Sequence, residues 1–133
     1  MDFEFTIATS KSFDVAVRAV EEASAAGGFR VLHIHDVQAT LAEKGFLRDP
    51  LKIIEVCNAR YASQVLLADV RIALMLPCPI AVYVQGSQTK ISTMRPSALV
   101  DFFPDAGIEK LAQEIDDAIM QIVKTAACAT SAQ

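Results

Sequence analysis

The first part of the chain changes from an alternating pattern to a helical one. Apolar and polar residues alternate over residues 3–8, which predicts a strand with one buried face. Over residues 13–24 the apolar positions recur every three or four residues, which predicts a helix with one buried stripe. Ser10 or Ser12 is placed to cap the start of this helix, and Gly27-Gly28 is placed to end it.

Two further strands, each followed by a helix, come next. Residues 29–35 predict a second strand, and Asp36 is placed to cap a short helix over residues 37–44. Apolar and β-branched residues predict a third strand over residues 51–56. An apolar stripe at helical spacing predicts a helix over residues 59–68, after which the pattern becomes looser.

The second half of the chain predicts one hairpin and one long helix. Residues 78–85 and 88–94 pair naturally around Gly86-Ser87, and Ser97 is placed to cap a short turn. The last helix is predicted over residues 108–125. Its predicted inward positions are Leu111, Ile115, Ile119, Ile122 and Val123. Its predicted outward positions are Glu109, Lys110, Glu114, Asp116 and Lys124.

The order of elements indicates the fold class. Strand pairs with short connections, and helices that fall between strands, favour an α+β fold with a mostly antiparallel sheet covered by helices on one face. A chain of 133 residues suits a single domain, which we assign to residues 1–125. Small and polar residues over 126–133 predict a frayed tail.

Composition narrows the function further. The net charge is −4 and no cluster of Lys and Arg is present, which disfavours nucleic acid as a partner and disfavours a membrane surface. The N-terminus lacks the pattern of a signal peptide, so we expect a cytoplasmic protein. Apolar residues make up 53% of the chain, a high share that a homodimer interface would hide.

Two of the three cysteines lie at predicted turns. Cys57 stands between a strand and a helix N-terminus, where the helix dipole favours a thiolate. Cys78 follows a second turn, Leu76-Pro77. The pair predicts a site for a ligand, a sulfur species or a soft metal ion, with Cys78 as partner thiol. The alternative is that both are small buried hydrophobes at strand ends.

Polar residues near these turns allow similar alternatives. Asn58 either caps the following helix or contributes to a ligand site. Arg60 lies in the first helical turn, where the dipole disfavours a cation, so we expect an anion or a carboxylate as its partner. His33 and His35 have a spacing that places two imidazoles on one strand face, as zinc and copper sites use, with Asp36 or a cysteine to complete the set. The alternative for these histidines is a polar strand face in water.

Several segments together resemble a bacterial and archaeal family, domain of unknown function 302. The resemblance covers the chain from about Phe3 to Val123. The segments that carry it are Gly28-Phe29-Arg30-Val31-Leu32, Asp36-Val37-Gln38-Ala39-Thr40-Leu41, Cys57-Asn58-Ala59-Arg60-Tyr61-Ala62, Leu76-Pro77-Cys78 and Val82-Tyr83.

This resemblance implies a fold and an assembly but no activity. The implied fold is like that of the TATA-binding protein, β-α-β(4)-α with short inserted helices, and the implied assembly is a homodimer. DNA binding does not follow from a shared fold, because function depends on the site. The family usually has proline where this chain has Ala59, and usually has other residues where this chain has His33 and His35.

Three hypotheses for function follow. The first is a small binding or accessory domain with a site around Cys57 and Cys78, without a cofactor or with a soft metal ion. The second is a thiol-dependent enzyme of sulfur or redox metabolism, although no nucleophile–base motif or phosphate loop is present. The third is a structural partner protein with inert cysteines.

Overall fold

The computed structural model describes residues 2–128. Its strands β1–β5 span Glu4–Thr9, Arg30–Asp36, Leu51–Cys57, Cys78–Gln85 and Gln88–Met94. Its helices α1–α5 span Phe13–Ala26, Val37–Ala42, Ala59–Ala68, Leu99–Phe102 and Glu109–Ala127. Short 3₁₀ helices span Val70–Met75 and Pro96–Ala98.

All five strands form one antiparallel sheet with the order β1-β5-β4-β3-β2. The hairpin β4–β5 lies at the centre, and the connection through α1 carries the chain from one edge strand, β1, to the other, β2. The pairing of β2 with β3 shifts between Val31 and His33, which is a β-bulge in an edge strand. The sequence prediction of an α+β fold with an antiparallel sheet is confirmed.

One face of the sheet is buried under α1 and α5, which also pack against each other. The strands contribute β-branched residues to this core because such side chains pack well on a pleated surface. The fully buried ones among them are Ile54, Val56, Ile80, Val82 and Ile91. From α1 and α5, Val20, Ile119 and Val123 pack into the same core.

The opposite face of the sheet, called the open face below, is covered by neither α1 nor α5. Alternation along the strands places Ile53, Ala81, Tyr83 and Ser92 on this face, and all four are half-buried. A chain of hydroxyl contacts crosses it, in which the Ser92 hydroxyl lies 2.7 Å from that of Tyr83 and 2.7 Å from that of Thr6.

Asp116 corrects one prediction from the sequence. Helical spacing placed this residue on the outward side of the last helix, but it is fully buried. Its carboxylate accepts hydrogen bonds from Arg95 Nη2 at 2.9 Å and from the Ser97 backbone N–H at 3.1 Å. Burial alone would raise the pKa of the Asp116 carboxyl, but the hydrogen bonds from Arg95 and Ser97 outweigh it, so the pKa lies below its ordinary value.

Other element boundaries agree closely with the sequence, with two exceptions. Ser97 does not cap the turn after β5, because it lies inside a 3₁₀ helix and its backbone N–H bonds to Asp116. The last helix continues to Ala127, past its predicted end at Thr125, because Ala126 and Ala127 are buried in the core. Residues 129–133 of the predicted frayed tail lie outside the described residues.

Asp116→Asn should destabilise the fold, because it removes the charge that balances Arg95 in a buried position. We expect the free energy of unfolding at pH 7 to fall by about 3 kcal/mol, measured by urea unfolding. Asp117→Asn is the matched control. That neighbouring carboxylate is exposed and bonds Gln113, so its loss should cost less than about 0.5 kcal/mol.

The loss of stability in Asp116→Asn should become smaller at low pH. Because the pKa of Asp116 is lowered in the folded protein, its stabilisation is complete above the unfolded pKa of about 4 and is lost as pH falls through the folded value. The stability gap between wild type and Asp116→Asn should therefore narrow below pH 4. A gap that is absent at pH 7 would contradict the role assigned to this ion pair.

Candidate functional site

Both cysteines predicted as site residues lie at the same end of the sheet. Cys57 is the last residue of β3 and Cys78 is the first residue of β4. These strands are antiparallel, and Val56 pairs with Cys78. The end of the neighbouring strand β5, Met94, reaches the same region. Antiparallel pairing therefore brings together residues that lie far apart in the sequence.

A small cavity of about 20 Å³ lies at this sheet end. Its apolar walls come from strands β3 and β4 and from the helices around them. Phe29, Val56, Val65, Leu76, Leu99 and Ile115 contribute to these walls. Cys57, Cys78, Met75 and Met94 also line it, so two cysteines and two methionines contribute to one space. That volume is enough for about one water molecule and too small for an organic metabolite.

The two polar side chains at the cavity, Asn58 and Tyr61, have partners elsewhere. Asn58 Oδ1 accepts a hydrogen bond from the Tyr61 backbone N–H at 3.1 Å, which caps α3 as the sequence predicts. Asn58 Nδ2 donates to the Gly28 carbonyl at 3.1 Å. The Tyr61 hydroxyl donates to Glu114 at 3.0 Å, and burial together with this carboxylate raises the pKa of Tyr61. These hydrogen bonds occupy the polar atoms of Asn58 and Tyr61. They leave the two cysteines as the lining residues with thiols that could contact a ligand.

Cys57 and Cys78 differ in their surroundings. Burial, together with the nearby charge of Cys57, raises the pKa of the Cys78 thiol to about 11. At neutral pH Cys78 is therefore a neutral thiol. Cys57 is half-buried and borders the cavity, so it meets the geometric condition for a thiol that contacts a ligand. Cys128, the third free cysteine, is exposed.

Arg60 lies outside this cavity. Its guanidinium stacks on the Tyr61 ring, 5.1 Å from the ring centroid, and its Nη2 lies 3.9 Å from Glu114 Oε2. The expected carboxylate partner is therefore present, but both ends of this ion pair are mostly exposed, so its contribution to stability is small.

The two histidines form a separate group on the open face. The rings of His33 and His35 lie 4.4 Å apart, and His35 Nε2 lies 3.2 Å from Glu55 Oε2. Asp36 is not the third member of this group, because its carboxylate caps α2 by accepting from the Ala39 N–H at 2.9 Å. Within residues 2–128, no three His, Cys, Asp or Glu side chains are placed to hold a metal ion. The His33–His35 metal site stays a prediction.

The sequence did not single out Met75 and Met94 as site residues. Met75 ends a 3₁₀ helix shortly before Cys78, and Met94 ends β5. The predicted hairpin could have shown that Met94 lies near Cys78. Pairing residues 78–85 with 88–94 places the last residue of β5 beside the first residues of β4, and thus beside Cys78.

Comparison with known proteins identifies the family. Residues 5–126 match a family described as "Domain of unknown function DUF302". The chain belongs to this family. The crystal structure of an uncharacterized conserved protein DUF302 from Bacillus stearothermophilus is similar, with a TM-score of 0.89 and 29% sequence identity. The match covers 95% of this chain and 99% of that chain. No curated protein matches the sequence.

Cys78 should react slowly with iodoacetamide in the native protein, because thiolate is the reactive form and its pKa is raised from 9.0 to about 11. At pH 8 we expect a rate about a hundredfold below that of Cys78 in urea-unfolded protein. Peptide mass spectrometry would measure each cysteine, with exposed Cys128 as the internal control. The Cys78 rate should still rise between pH 9 and 10, and a plateau near pH 9 would contradict the raised pKa.

Proposed function

We propose that this member of the DUF302 family is a small binding domain whose ligand occupies the cavity between Cys57 and Cys78. The proposed ligand is a soft species, either a sulfur species or a soft metal ion. One observation carries this proposal: two thiols border a small apolar cavity in which Asn58 and Tyr61 are already engaged. Thiolate and thioether sulfur prefer soft metal ions.

The size and lining of the cavity argue against other ligands. A volume of about 20 Å³ excludes sugars, nucleotides and amino acids unless the walls move. A bound water needs two or more polar partners, which apolar walls supply poorly. A single soft atom or ion fits both the volume and the sulfur groups.

The enzyme hypothesis has less support from the same geometry. A thiol-dependent enzyme needs a thiolate activated by a base or by a lowered pKa. At Cys78 burial acts in the opposite direction and raises the pKa to about 11. Binding therefore remains the better-supported function.

Thermal unfolding with added ligands would test the binding proposal. We expect sodium hydrosulfide or Ag⁺, at about 100 times its dissociation constant, to raise the Tm by about 10 °C, whereas Mg²⁺ and phosphate should leave it unchanged. Cys57→Ala and Cys78→Ala should each remove the shift, and Cys128→Ser should retain it. If neither soft probe shifts the Tm, or if the alanine variants respond like wild type, the cysteines are inert and the structural-partner hypothesis takes its place.

We also propose that the chain forms a homodimer through the open face of its sheet. Half-buried Ile53, Ala81 and Tyr83 give this face an apolar centre, and a second copy would cover it. Two-fold pairing is the commonest symmetry of soluble oligomers.

No helix within residues 2–128 is long and apolar enough to cross a bilayer. Three free cysteines suit a reducing compartment, which supports the cytoplasm as the location.

Sedimentation equilibrium would test the dimer. We expect wild type to show twice the chain mass of 14.4 kDa. Ala81→Lys places a charge at the centre of the open face and should shift the protein to monomer, because an unpaired charge in an interface is costly. Leu67→Lys, on the 85% exposed Leu67 of α3, is the matched control and should stay dimeric. Monomeric wild type, or a dimeric Ala81→Lys variant, would rule this interface out.

A further inference from the structure

We infer that the cavity is a binding site for one monovalent copper ion, with the thiolates of Cys57 and Cys78 as its principal ligands and the thioethers of Met75 and Met94 beside them. The inference rests on the proposed binding function and names its ligand. The observation behind it is that four sulfur-containing residues, from four different elements, line one space.

The fold brings these sulfur groups to one place for separate reasons. Cys57 ends β3 and Cys78 begins β4, so both lie at the same end of two neighbouring strands. Met94 ends the strand on the other side of β4. Met75 ends the 3₁₀ helix that leads into β4.

The donor set matches monovalent copper better than other metal ions. Thiolate and thioether sulfur select soft ions, and this d¹⁰ ion accepts as few as two sulfur ligands. Zinc prefers four ligands from Cys, His, Asp and Glu, and the described chain holds no group of even three. Hard ions such as Mg²⁺ need oxygen ligands, and the side-chain oxygens of Asn58 and Tyr61 are bonded within the protein.

The chemistry of binding balances in charge and protons. Each cysteine binds as a thiolate after its thiol proton has gone to solvent, and two copper–sulfur bonds form, so the ion and its two thiolates together carry one negative charge. Cys57 precedes the N-cap of α3, and the unbonded N–H groups and dipole of that helix end favour a negative charge there.

An anaerobic competition titration with Cu⁺ and the chromophoric chelator bathocuproine disulfonate would test the inference. We expect one copper per chain. Cys57→Ser and Cys78→Ser should each weaken binding at least about a hundredfold, because losing a direct ligand costs more than losing its hydrogen-bond partner. Cys128→Ser, at an exposed cysteine, is the matched control and should bind like wild type.

Volume-conserving variants test the thioethers without disturbing the fold. Met75→Leu with Met94→Leu should weaken binding about tenfold. Met120→Leu changes a buried methionine of α5 outside the cavity and should have no effect. X-ray absorption at the copper edge should show sulfur neighbours in wild type. Leu variants that bind like wild type would remove the thioethers from the site.

Other outcomes separate this inference from the proposed function. Loss of copper binding in a variant with both His33→Ala and His35→Ala would show that the ion binds at the open face. Nitrogen neighbours in the absorption spectrum would show the same, and either result would overturn the inference. If Cu⁺ fails to bind while hydrosulfide still raises the Tm through Cys57, the copper inference fails and the binding function stands. If neither probe binds, both fail.

Discussion

Two long helices can cover only one face of a five-stranded sheet, and this constraint organises the whole molecule. α1 and α5 pack together on one face, where the β-branched residues of the central strands form the core. The open face keeps the hydroxyl contacts of Tyr83, Ser92 and Thr6, and the histidines of β2 lie on the same side. The two faces of the sheet therefore differ in role. The helix-covered face stabilises the fold, and the open face is available for contacts.

The ion pair of Arg95 and Asp116 connects the core to the candidate site. Arg95 directly follows Met94, the last residue of β5, and Asp116 lies within α5. The pair thus fixes the end of β5 against the long helix, beside the cavity that contains Cys57 and Cys78. Arg95 also bonds Asp2 at 2.7 Å, so the start of the chain is held at the same point. A buried charge is costly unless it is paired, so this arrangement tolerates little change.

The sequence predicted the elements well where local signals determine them. The bounds of α3, β4 and β5 agree with the prediction because each has its own caps, alternation or turn residues. Asp116 was assigned to the wrong side of α5 because helical spacing cannot show that Arg95, on another element, neutralises it. The two cysteines of the candidate site were predicted from their turns, and the structure places both at one end of the sheet. Met75 and Met94 were missed because their nearness to Cys78 depends on strand pairing and on the path of a 3₁₀ helix.

The edges of the sheet limit how copies of this chain can join. The edge strand β2 carries Arg30, His33, His35 and Asp36, and it contains the bulge after Val31. Charged side chains and bulges on edge strands hinder the backbone pairing that extends sheets from one molecule to the next. Pairing of one edge strand with the other edge strand of the next copy would repeat without end and lead to fibrous aggregates. The placement of charge on β2 therefore disfavours this kind of aggregation.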